Sequence, residues 1–290
     1  MAVPKGKLIA IGGSELKEPG DHAASSELRQ KDFFASGILV EFLAEVKGKQ
    51  SRIEVIPAAS EIPQEMGESY QKAFRALGCK NVHVLSIDGS EQADSPQNLQ
   101  RIEKADGVLF TGGDQTRLVN TLLDTLLLAK IHERYQNEEF VIAGTSAGAA
   151  AMPKLAIKEG KSAESLIKGM VETIKGLSLL PQAIIDTHFM QRSRFSRLTE
   201  ALLRNPGLLG IGLCTDSGVV ISGGDALRAI GSGSVCLIDT DNVGETNYSK
   251  VAELQPVYVS NLRVNLLAKG ASYYLQDRLF TRTDESYVKH

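Results

Sequence analysis

The chain has 290 residues, of which 42% are hydrophobic, and its 32 basic and 35 acidic side chains leave a formal net charge of −3. This composition supplies a full hydrophobic core and excludes a wholly disordered chain. The slight negative charge argues against a nucleic-acid binder or a binder of anionic membranes, because affinity for phosphate requires a basic excess.

Hydropathy and cysteine usage predict a cytoplasmic protein without a membrane anchor. No apolar stretch reaches the roughly 20 residues that a membrane-spanning helix needs. The run Leu8–Ile11 is too short for the apolar region of a signal peptide. The three cysteines, Cys79, Cys214 and Cys236, are too few and too widely spaced for a disulfide framework or a zinc cluster.

In the first half of the chain, apolar runs alternate with amphipathic segments. The apolar runs end at glycine, proline or polar residues and predict strands, whereas the amphipathic segments repeat apolar residues at helical spacing. In chain order the predicted elements are strand Lys7–Ile11, helix Phe33–Val46, strand Arg52–Ile56, helix Pro63–Leu77, strand Val82–Ile87, helix Pro96–Ala105, strand Gly107–Phe110, helix Arg117–Gln136 and strand Phe140–Ala143.

This alternation predicts an α/β fold, in which a parallel sheet is covered by helices on both faces. Ligands of such sheets collect beyond the carboxyl ends of the strands. Past Gly207 the predicted strands are short and rich in Gly and Ser, which favours antiparallel hairpins at the edge of the same sheet. These strands are Val219–Ile221, Ala226–Ile230, Ser234–Ile238 and Val257–Leu267. We therefore expect residues 1–290 to form a single domain.

A serine among small residues follows the strand Phe140–Ala143 directly, in the sequence Gly144-Thr145-Ser146-Ala147-Gly148. Small neighbours permit the sharp strand-to-helix turn that exposes a nucleophilic hydroxyl, and the N–H of Ala147 can then donate to an oxyanion. An ordinary helix-capping serine fits the same residues. The motif alone leaves both interpretations open, and the preceding strand favours the nucleophile.

A second loop, Thr111-Gly112-Gly113-Asp114-Gln115, follows the strand Gly107–Phe110. Paired glycines let the backbone approach a ligand, so this loop could supply a second oxyanion donor, and Gln115 could bind an amide or carboxylate. Taken alone, a plain turn in which Asp114 caps the next helix is the better supported interpretation. For Gly12-Gly13, after the first strand, we also favour an ordinary turn.

A third group of polar residues follows the predicted strand Ala183–Ile185. Of the five histidines, His188 alone stands at a strand end beside other polar side chains, and histidine is the usual base for a nucleophilic serine. Arg192, Arg194 and Arg197 come next, and grouped guanidinium groups suit the bidentate capture of carboxylates. A solvated basic face is the commoner role of such a charge run.

Together the three loops resemble those of the cyanophycinases and their relatives, the aspartyl dipeptidases. These are serine peptidases on a class-I-glutaminase-like, flavodoxin-like sheet. The resemblance implies an α/β, flavodoxin-like fold with a mostly parallel sheet, helices on both faces and antiparallel carboxyl-terminal strands. It spans nearly the whole chain and also includes Ile11-Gly12-Gly13 with Glu15 and Lys17, Val55–Ser60 and Gly210-Ile211-Gly212.

The resemblance implies an exopeptidase that cleaves cyanophycin, a poly-aspartate with an arginine on each β-carboxyl group, into β-Asp-Arg dipeptides. It assigns nucleophilic attack to Ser146, proton transfer to His188 and the oxyanion site to Gly113 and Ala147. Neither a metal nor an organic cofactor is required, and a homodimer is a further expectation. The substrate-binding residues that the resemblance implies are Gln115, Asp186, Arg192, Arg194 and Arg197.

Two positions depart from the family pattern. Thr215 stands where the family carries a glutamate that orients the histidine, and a hydroxyl cannot stabilise an imidazolium by charge. Loss of the acid from a Ser-His-Asp triad can lower kcat about 10⁴-fold. Asp216 is the alternative acid, although on an extended strand its side chain would face the opposite side. Thr187 replaces a longer polar residue.

Three further functions compete with the cleavage of cyanophycin. An Asp-specific dipeptidase would use the same nucleophile and base on short peptides. A non-catalytic homologue would bind Asp- or Arg-rich peptides through Arg192, Arg194 and Arg197, and Thr215 keeps this alternative open. Glutamine amidotransfer is poorly supported, because that chemistry places a cysteine at the elbow, where this chain has Ser146.

Overall fold

The computed structural model describes residues 3–13, 37–160 and 165–281. The first residues of the predicted helix Phe33–Val46, and the family-like positions Glu15 and Lys17, lie outside the described residues. Within the described ranges, no helix combines the length and the apolar character that crossing a bilayer demands.

The described residues form fifteen strands and eight α-helices. The strands are β1 (Lys7–Ile11), β2 (Ile53–Ile56), β3 (Val82–Val84), β4 (Gly107–Phe110), β5 (Val141–Thr145), β6 (Leu155–Gly160), β7 (Val171–Lys175), β8 (Ala183–Thr187), β9 (Leu209–Leu213), β10 (Ser217–Ser222), β11 (Ala226–Gly231), β12 (Val235–Asp239), β13 (Arg263–Leu267), β14 (Ser272–Tyr274) and β15 (Leu279–Phe280). The helices are α1 (Ile38–Glu45), α2 (Pro63–Ala76), α3 (Ser90–Ala93), α4 (Pro96–Lys104), α5 (Gln115–Leu122), α6 (Leu126–Asn137), α7 (Ala147–Ala150) and α8 (Phe195–Arg204).

The larger sheet has nine strands in the order β15-β14-β11-β10-β1-β5-β4-β2-β3. Strands β1, β5, β4, β2 and β3 pair in parallel, and the strands on the other side of β1 pair antiparallel. Every residue of β2, β4 and β5 is buried, because a parallel sheet is covered on both faces and its strands therefore read as continuous apolar runs. The predicted α/β fold with antiparallel carboxyl-terminal strands is confirmed.

A second sheet, in the order β13-β12-β9-β8, was not predicted as a separate layer. Only β10, β11, β14 and β15 extend the larger sheet, as expected for the carboxyl-terminal strands. On one face of the second sheet, Ile211 of β9 belongs to the core cluster that contains Leu8 and Ile142 of the larger sheet. On its other face the second sheet packs against α8 through Ile184 and Leu198. One core thus joins both sheets, and the single-domain organisation stays a prediction.

One predicted helix and one predicted strand depart most from their expected bounds. The predicted helix Arg117–Gln136 is divided into α5 and α6, because Asp124 has φ 62° and the Thr125 hydroxyl accepts the N–H of Leu128 at 3.2 Å as a new N-cap. The predicted strand Val257–Leu267 is reduced to β13, after a turn in which Asn261 has φ 56°. Local capping and turn geometry override the apolar pattern at both places.

Sequence reasoning missed the hairpin of β6 and β7. These strands pair antiparallel from Leu155↔Lys175 to Gly160↔Val171, with a bulge between Ile157 and Glu159. A bulge bends its strand and redirects the side chains around it. This hairpin stands beside β8, at the carboxyl end of the sheet where the polar loops meet.

Candidate active site

Ser146 lies in a sharp turn between β5 and α7. Its backbone angles, φ 50° and ψ −115°, belong to a sparsely populated region that costs a residue about 1–3 kcal/mol. The N–H of Ser146 donates to the carbonyl of Ile11 at 2.9 Å, which fixes the turn against the end of β1. Surrounding structure therefore stabilises a strained backbone that points the hydroxyl into a cavity, as a nucleophile elbow does.

His188 follows β8 and meets Ser146 from the second sheet. Its Nε2 lies 3.1 Å from the Ser146 hydroxyl oxygen, within hydrogen-bonding range. The imidazole is buried, and its backbone has φ 49°. If Nε2 accepts the serine proton, the neutral ring carries its own proton on Nδ1. The two residues that the sequence proposed as nucleophile and base are thus in contact.

The surroundings of His188 favour its neutral form. Burial lowers the pKa of the imidazole, the positive charges of Arg192 and Arg194 lower it further, and the negative charge of Asp186 acts in the opposite direction; the resulting pKa is about 4. The imidazole is consequently uncharged near pH 7 and able to accept a proton.

The other ring nitrogen of His188, Nδ1, is buried and has no hydrogen-bond partner among the described residues. Thr215 and Asp216 lie in the turn between β9 and β10, not on an extended strand, and Asp216 has φ 55°. The Thr215 hydroxyl is likewise buried without a partner within the described ranges. The roles assigned to both residues stay predictions, and neither side chain bonds to Nδ1.

Gly13 packs directly against the Ser146–His188 pair. A Cβ at this position would lie 3.0 Å from Nε2 of His188 and 3.1 Å from Cβ of Ser146, and Gly13 has φ 90°. The expected ordinary turn therefore has a steric role at the site. Pairing of Ile11 with Thr145 explains this, because the residues after β1 must then adjoin those after β5.

The two predicted oxyanion donors line the same cavity. Neither the N–H of Gly113 nor that of Ala147 donates to a backbone or side-chain acceptor among the described residues. Gly113 has φ 140°, and a side chain there would collide with the carbonyl of Ala59. Asp114 accepts the N–H of Thr116 at 2.7 Å and caps α5. The loop thus combines the capping interpretation with the exposed N–H that the oxyanion interpretation requires.

Asp186 binds two of the predicted arginines instead of standing free. Its carboxylate accepts a hydrogen bond from Nη1 of Arg194 at 3.1 Å and from Nε of Arg197 at 2.9 Å, and Nη2 of Arg197 also donates to it. The N–H of Thr187 adds a bond at 3.0 Å. Because Asp186 is only 2% exposed, its charge is balanced within the protein. By contrast, the side chain of the exposed Arg192 forms no hydrogen bond or ion pair with a described residue.

The cavity at Ser146 has a volume of about 320 Å³. Nine of the eleven predicted site residues line it, and the two outside the lining are Thr215 and Asp216. The predicted lining residues are Gly113, Gln115, Ser146, Ala147, Asp186, His188, Arg192, Arg194 and Arg197. The structure therefore brings most of the predicted site residues to one cavity, whose wall also includes residues that the sequence did not predict.

The unpredicted wall of the cavity is the end of β6. Residues Ile157, Lys158, Glu159 and Gly160 all line the cavity. Nε2 of Gln115 donates to the carbonyls of Ile157 and Lys158, each at 2.9 Å. Gln115 thus holds the wall in place and keeps its own carbonyl oxygen available to a ligand. No local sequence signal marks this wall, because it depends on the pairing of β6 with β7.

The arrangement is suited to acyl transfer. It brings together a strained serine, a neutral imidazole in contact with it, two N–H groups without an acceptor among the described residues and a charged, polar cavity. Across residues 3–13, 37–160 and 165–281, no three His, Cys, Asp or Glu side chains converge as metal ligands.

Similarity to known proteins agrees with this chemistry. The model of peptidase family S51 matches residues 23–229. The chain is 34% identical over 269 residues to the cyanophycinase of Geminocystis herdmanii (strain PCC 6308), and the match covers 93% of each protein. It is also 34% identical over 274 residues to the cyanophycinase of Trichormus variabilis (strain ATCC 29413 / PCC 7937), covering 94% of this chain and 87% of that relative.

A solved structure shares the fold. The crystal structure of a peptidase from an acI-B1 Actinobacterium matches with a TM-score of 0.61, covers 94% of this chain and 98% of its own, and is 21% identical. At 21% identity this likeness shows a shared fold alone. Family membership rests on the match to the family model and on the identity to the two cyanophycinases. The chain belongs to peptidase family S51, and it is a serine-type peptidase.

Proposed function

We propose that this peptidase hydrolyses cyanophycin to β-Asp-Arg dipeptides through an acyl-enzyme on Ser146, with His188 as the general base. The observation that carries the proposal is the 3.1 Å contact between the Ser146 hydroxyl and Nε2 of His188, in a cavity lined by Arg192, Arg194 and Arg197. The identity of 34% to two cyanophycinases supports this choice of substrate.

In the acylation half-reaction, Oγ of Ser146 attacks the carbonyl carbon of the scissile bond and its proton moves to Nε2 of His188. The carbonyl oxygen becomes negative and accepts hydrogen bonds from the N–H groups of Gly113 and Ala147. When the tetrahedral intermediate collapses, the C–N bond breaks and His188 returns the proton to the leaving amine. The product of this half-reaction is an ester on Ser146.

Deacylation repeats these steps with water as the nucleophile. His188 accepts a proton from the water, and the hydroxide attacks the ester carbonyl. The C–O bond to Ser146 then breaks, and the serine oxygen recovers a proton from the imidazolium. Each proton that His188 accepts is returned within the same half-reaction, so the enzyme ends the cycle unchanged.

The imidazolium that forms in each half-reaction has little electrostatic support. No described carboxylate bonds to Nδ1 of His188, and the cations of Arg192 and Arg194 disfavour its positive form. We therefore infer that the chemical step is slower than it would be with an acid at Thr215. Substrate binding does not depend on this support.

The charges of the cavity favour an anionic or zwitterionic substrate. Asp186 holds the guanidinium groups of Arg194 and Arg197 in a fixed orientation, which lowers the entropy lost when they bind a carboxylate. A poly-aspartate backbone with its terminal carboxylates offers such groups. Gln115, tied to β6 through its amide nitrogen, has its side-chain oxygen left to accept a substrate N–H.

Insoluble cyanophycin distinguishes this function from an Asp-specific dipeptidase. The purified protein and its Ser146→Ala variant are incubated with the polymer, and separately with Asp-Leu, and the products are identified by mass spectrometry. We expect β-Asp-Arg from the wild type and a loss of roughly 10⁴- to 10⁶-fold in the variant. Turnover of Asp-Leu without release of β-Asp-Arg would contradict the proposed function and support an Asp-specific dipeptidase instead.

A further inference from the structure

The charged side chains around the Ser146 cavity differ in whether they are already paired. Arg194 and Arg197 share Asp186, and Nζ of Lys158 lies 2.9 Å from a carboxylate oxygen of Glu172 on β7. Two lining residues, Arg192 and Glu159, form no ion pair or hydrogen bond through their side chains with any described residue. The cavity thus offers a ligand one unpaired positive and one unpaired negative charge.

Glu159 follows a bulge in β6 and lines the cavity. In a regular strand, successive side chains face opposite sides. Here Ile157 pairs with Thr173 whereas Glu159 pairs with Glu172, so Lys158 is the extra residue between two adjacent positions of β7. Bulges redirect side chains in this way next to active sites. Four consecutive residues, from Ile157 to Gly160, line the cavity.

The backbone on both sides of Glu159 is held by other residues of the site. Before it, Gln115 donates to the carbonyls of Ile157 and Lys158. After it, Nη1 of Arg197 donates to the carbonyl of Gly160 at 3.4 Å. The same Arg197 is held by Asp186. Glu159 is exposed, but its Cα is fixed relative to the arginines.

We propose that Glu159 binds the guanidinium group of the substrate's arginine side chain and thereby determines specificity for an arginine-bearing substrate. This inference rests on the proposed function. Asp186, the other acid in the wall, has its carboxylate occupied by Arg194 and Arg197, so it cannot perform this role without releasing them. A carboxylate and a guanidinium form two parallel charge-assisted hydrogen bonds.

The unpaired Arg192 makes the cavity complementary in charge to a zwitterionic substrate. A substrate segment of this kind carries both a guanidinium group and a carboxylate, and the two unpaired charges of the cavity have the opposite signs. Glu159 belongs to β6, whereas Arg192 belongs to the loop before α8, so a zwitterionic ligand would bridge two separate elements. A ligand without the positive group would leave Glu159 unpaired.

A binding experiment on the inactive Ser146→Ala protein tests the inference. The probes are a short aspartate peptide with β-linked arginine and the same peptide with citrulline, the uncharged isostere of arginine. We expect the arginine peptide to bind about tenfold more tightly, since a hydrogen bond to a charged group is worth at least that factor. Adding Glu159→Gln should bring the two dissociation constants together.

Glu61→Gln is the matched control. Glu61 is an exposed acid in the loop after β2, paired with Arg117 at 3.3 Å, and it does not line the cavity. Its replacement removes the same charge from the protein, so a general electrostatic effect would appear in both variants. We expect the preference for arginine over citrulline to survive in Glu61→Gln.

The outcomes separate the inference from the function on which it rests. A preference for arginine that persists in Glu159→Gln, or a Ser146→Ala protein that binds both peptides equally or neither, would overturn the role of Glu159. A preference that disappears with Glu159→Gln supports it, whatever the turnover. If the wild type binds the arginine peptide through Glu159 but releases no β-Asp-Arg from the polymer, the proposed function fails and the inference stands.

Discussion

The two sides of the Ser146 cavity differ in how fully their polar groups are paired. On the arginine side, the buried carboxylate of Asp186 is bound by both Arg194 and Arg197. On the histidine side, Nδ1 of His188 and the hydroxyl of Thr215 have no partner among the described residues. The arginine side therefore has a balanced charge, although Nε of Arg194 is also without a partner among the described residues, whereas the histidine side has no bonded carboxylate that would stabilise an imidazolium. Binding and chemistry should therefore respond to different mutations.

Asp186→Asn should disrupt the arginine side with the largest effect. It leaves two partly buried guanidinium groups without a counter-charge, and breaking a buried pair in this way costs about 3–5 kcal/mol of unfolding free energy. We also expect KM to rise because Arg194 and Arg197 lose their fixed orientation. Urea unfolding and steady-state kinetics measure the two effects.

Glu54→Gln is the control for that variant. Glu54 is fully buried in β2 and is held by Arg52 at 3.2 Å and by Arg101, in an arrangement like that of Asp186 but outside the cavity lining. It should lose a similar amount of stability, about 3–5 kcal/mol, and keep its KM. Equal increases of KM in both variants would contradict a local role for Asp186.

Gly13→Ala should disrupt the histidine side directly. The new Cβ would lie 3.0 Å from Nε2 of His188, and the residue would hold φ 90°, so the imidazole or the serine must move. A displacement of about 1 Å can lower the rate of an enzyme about 100-fold. We expect this loss in kcat, with little change in KM. Gly48→Ala has a similar strain, at φ 70°, with no described atom within 4 Å of its Cβ, and should retain kcat. An unchanged kcat in Gly13→Ala would mean that the contact is irrelevant to catalysis.

Thr215→Glu should repair the histidine side. A carboxylate near Nδ1 would stabilise the imidazolium, so we expect kcat to rise about tenfold, a part of the 10⁴-fold that an acid contributes in a complete triad. Thr215→Gln, of equal size but uncharged, should show no gain. If Thr215→Glu brings no gain and Asp216→Ala loses most of the activity, the acid is Asp216 instead.

The pH profile of activity should show the smallest effect of the missing counter-charge on the histidine side. In the proposed mechanism His188 must be neutral to accept the serine proton, and burial lowers its pKa to about 4. We expect kcat/KM to stay constant from about pH 8 to about pH 6 and then to decrease, reaching half of its maximum near the pKa of about 4. Arg192→Gln removes a repelling positive charge, so the pKa of His188 and the acid limb should move upward. Thermal unfolding at each pH serves as the control, and a midpoint near the ordinary value for histidine would contradict the effect of burial.

Local patterns predicted the central parallel strands because every residue of β2, β4 and β5 is buried. Strand β4 was predicted with its observed bounds, Gly107–Phe110, and β5 within two residues at each end. The loops after β4, β5 and β8 then supplied the candidate site, since the carboxyl ends of neighbouring strands meet. Short-range sequence information is sufficient where one continuous apolar run defines an element.

The remaining features depend on contacts between distant parts of the chain. The steric role of Gly13 follows from the pairing of β1 with β5, and the position on which the proposal for Glu159 rests depends on the pairing of β6 with β7. Likewise, the assignment of β12 to the second sheet depends on its pairing with β9. None of these partners is specified by the residues adjacent in sequence, so hydrophobic periodicity could not identify them.

The hydrogen bond between Ser146 and His188 has one end on each of the two sheets. Ser146 follows β5 of the larger sheet, and His188 follows β8 of the smaller one. A relative slide of about one ångström would leave the ladders of both sheets intact and still take the 3.1 Å contact out of hydrogen-bonding range. Enzymatic activity is therefore more sensitive than secondary structure to the relative position of the two sheets. We expect a low concentration of urea to abolish activity before the circular dichroism spectrum changes.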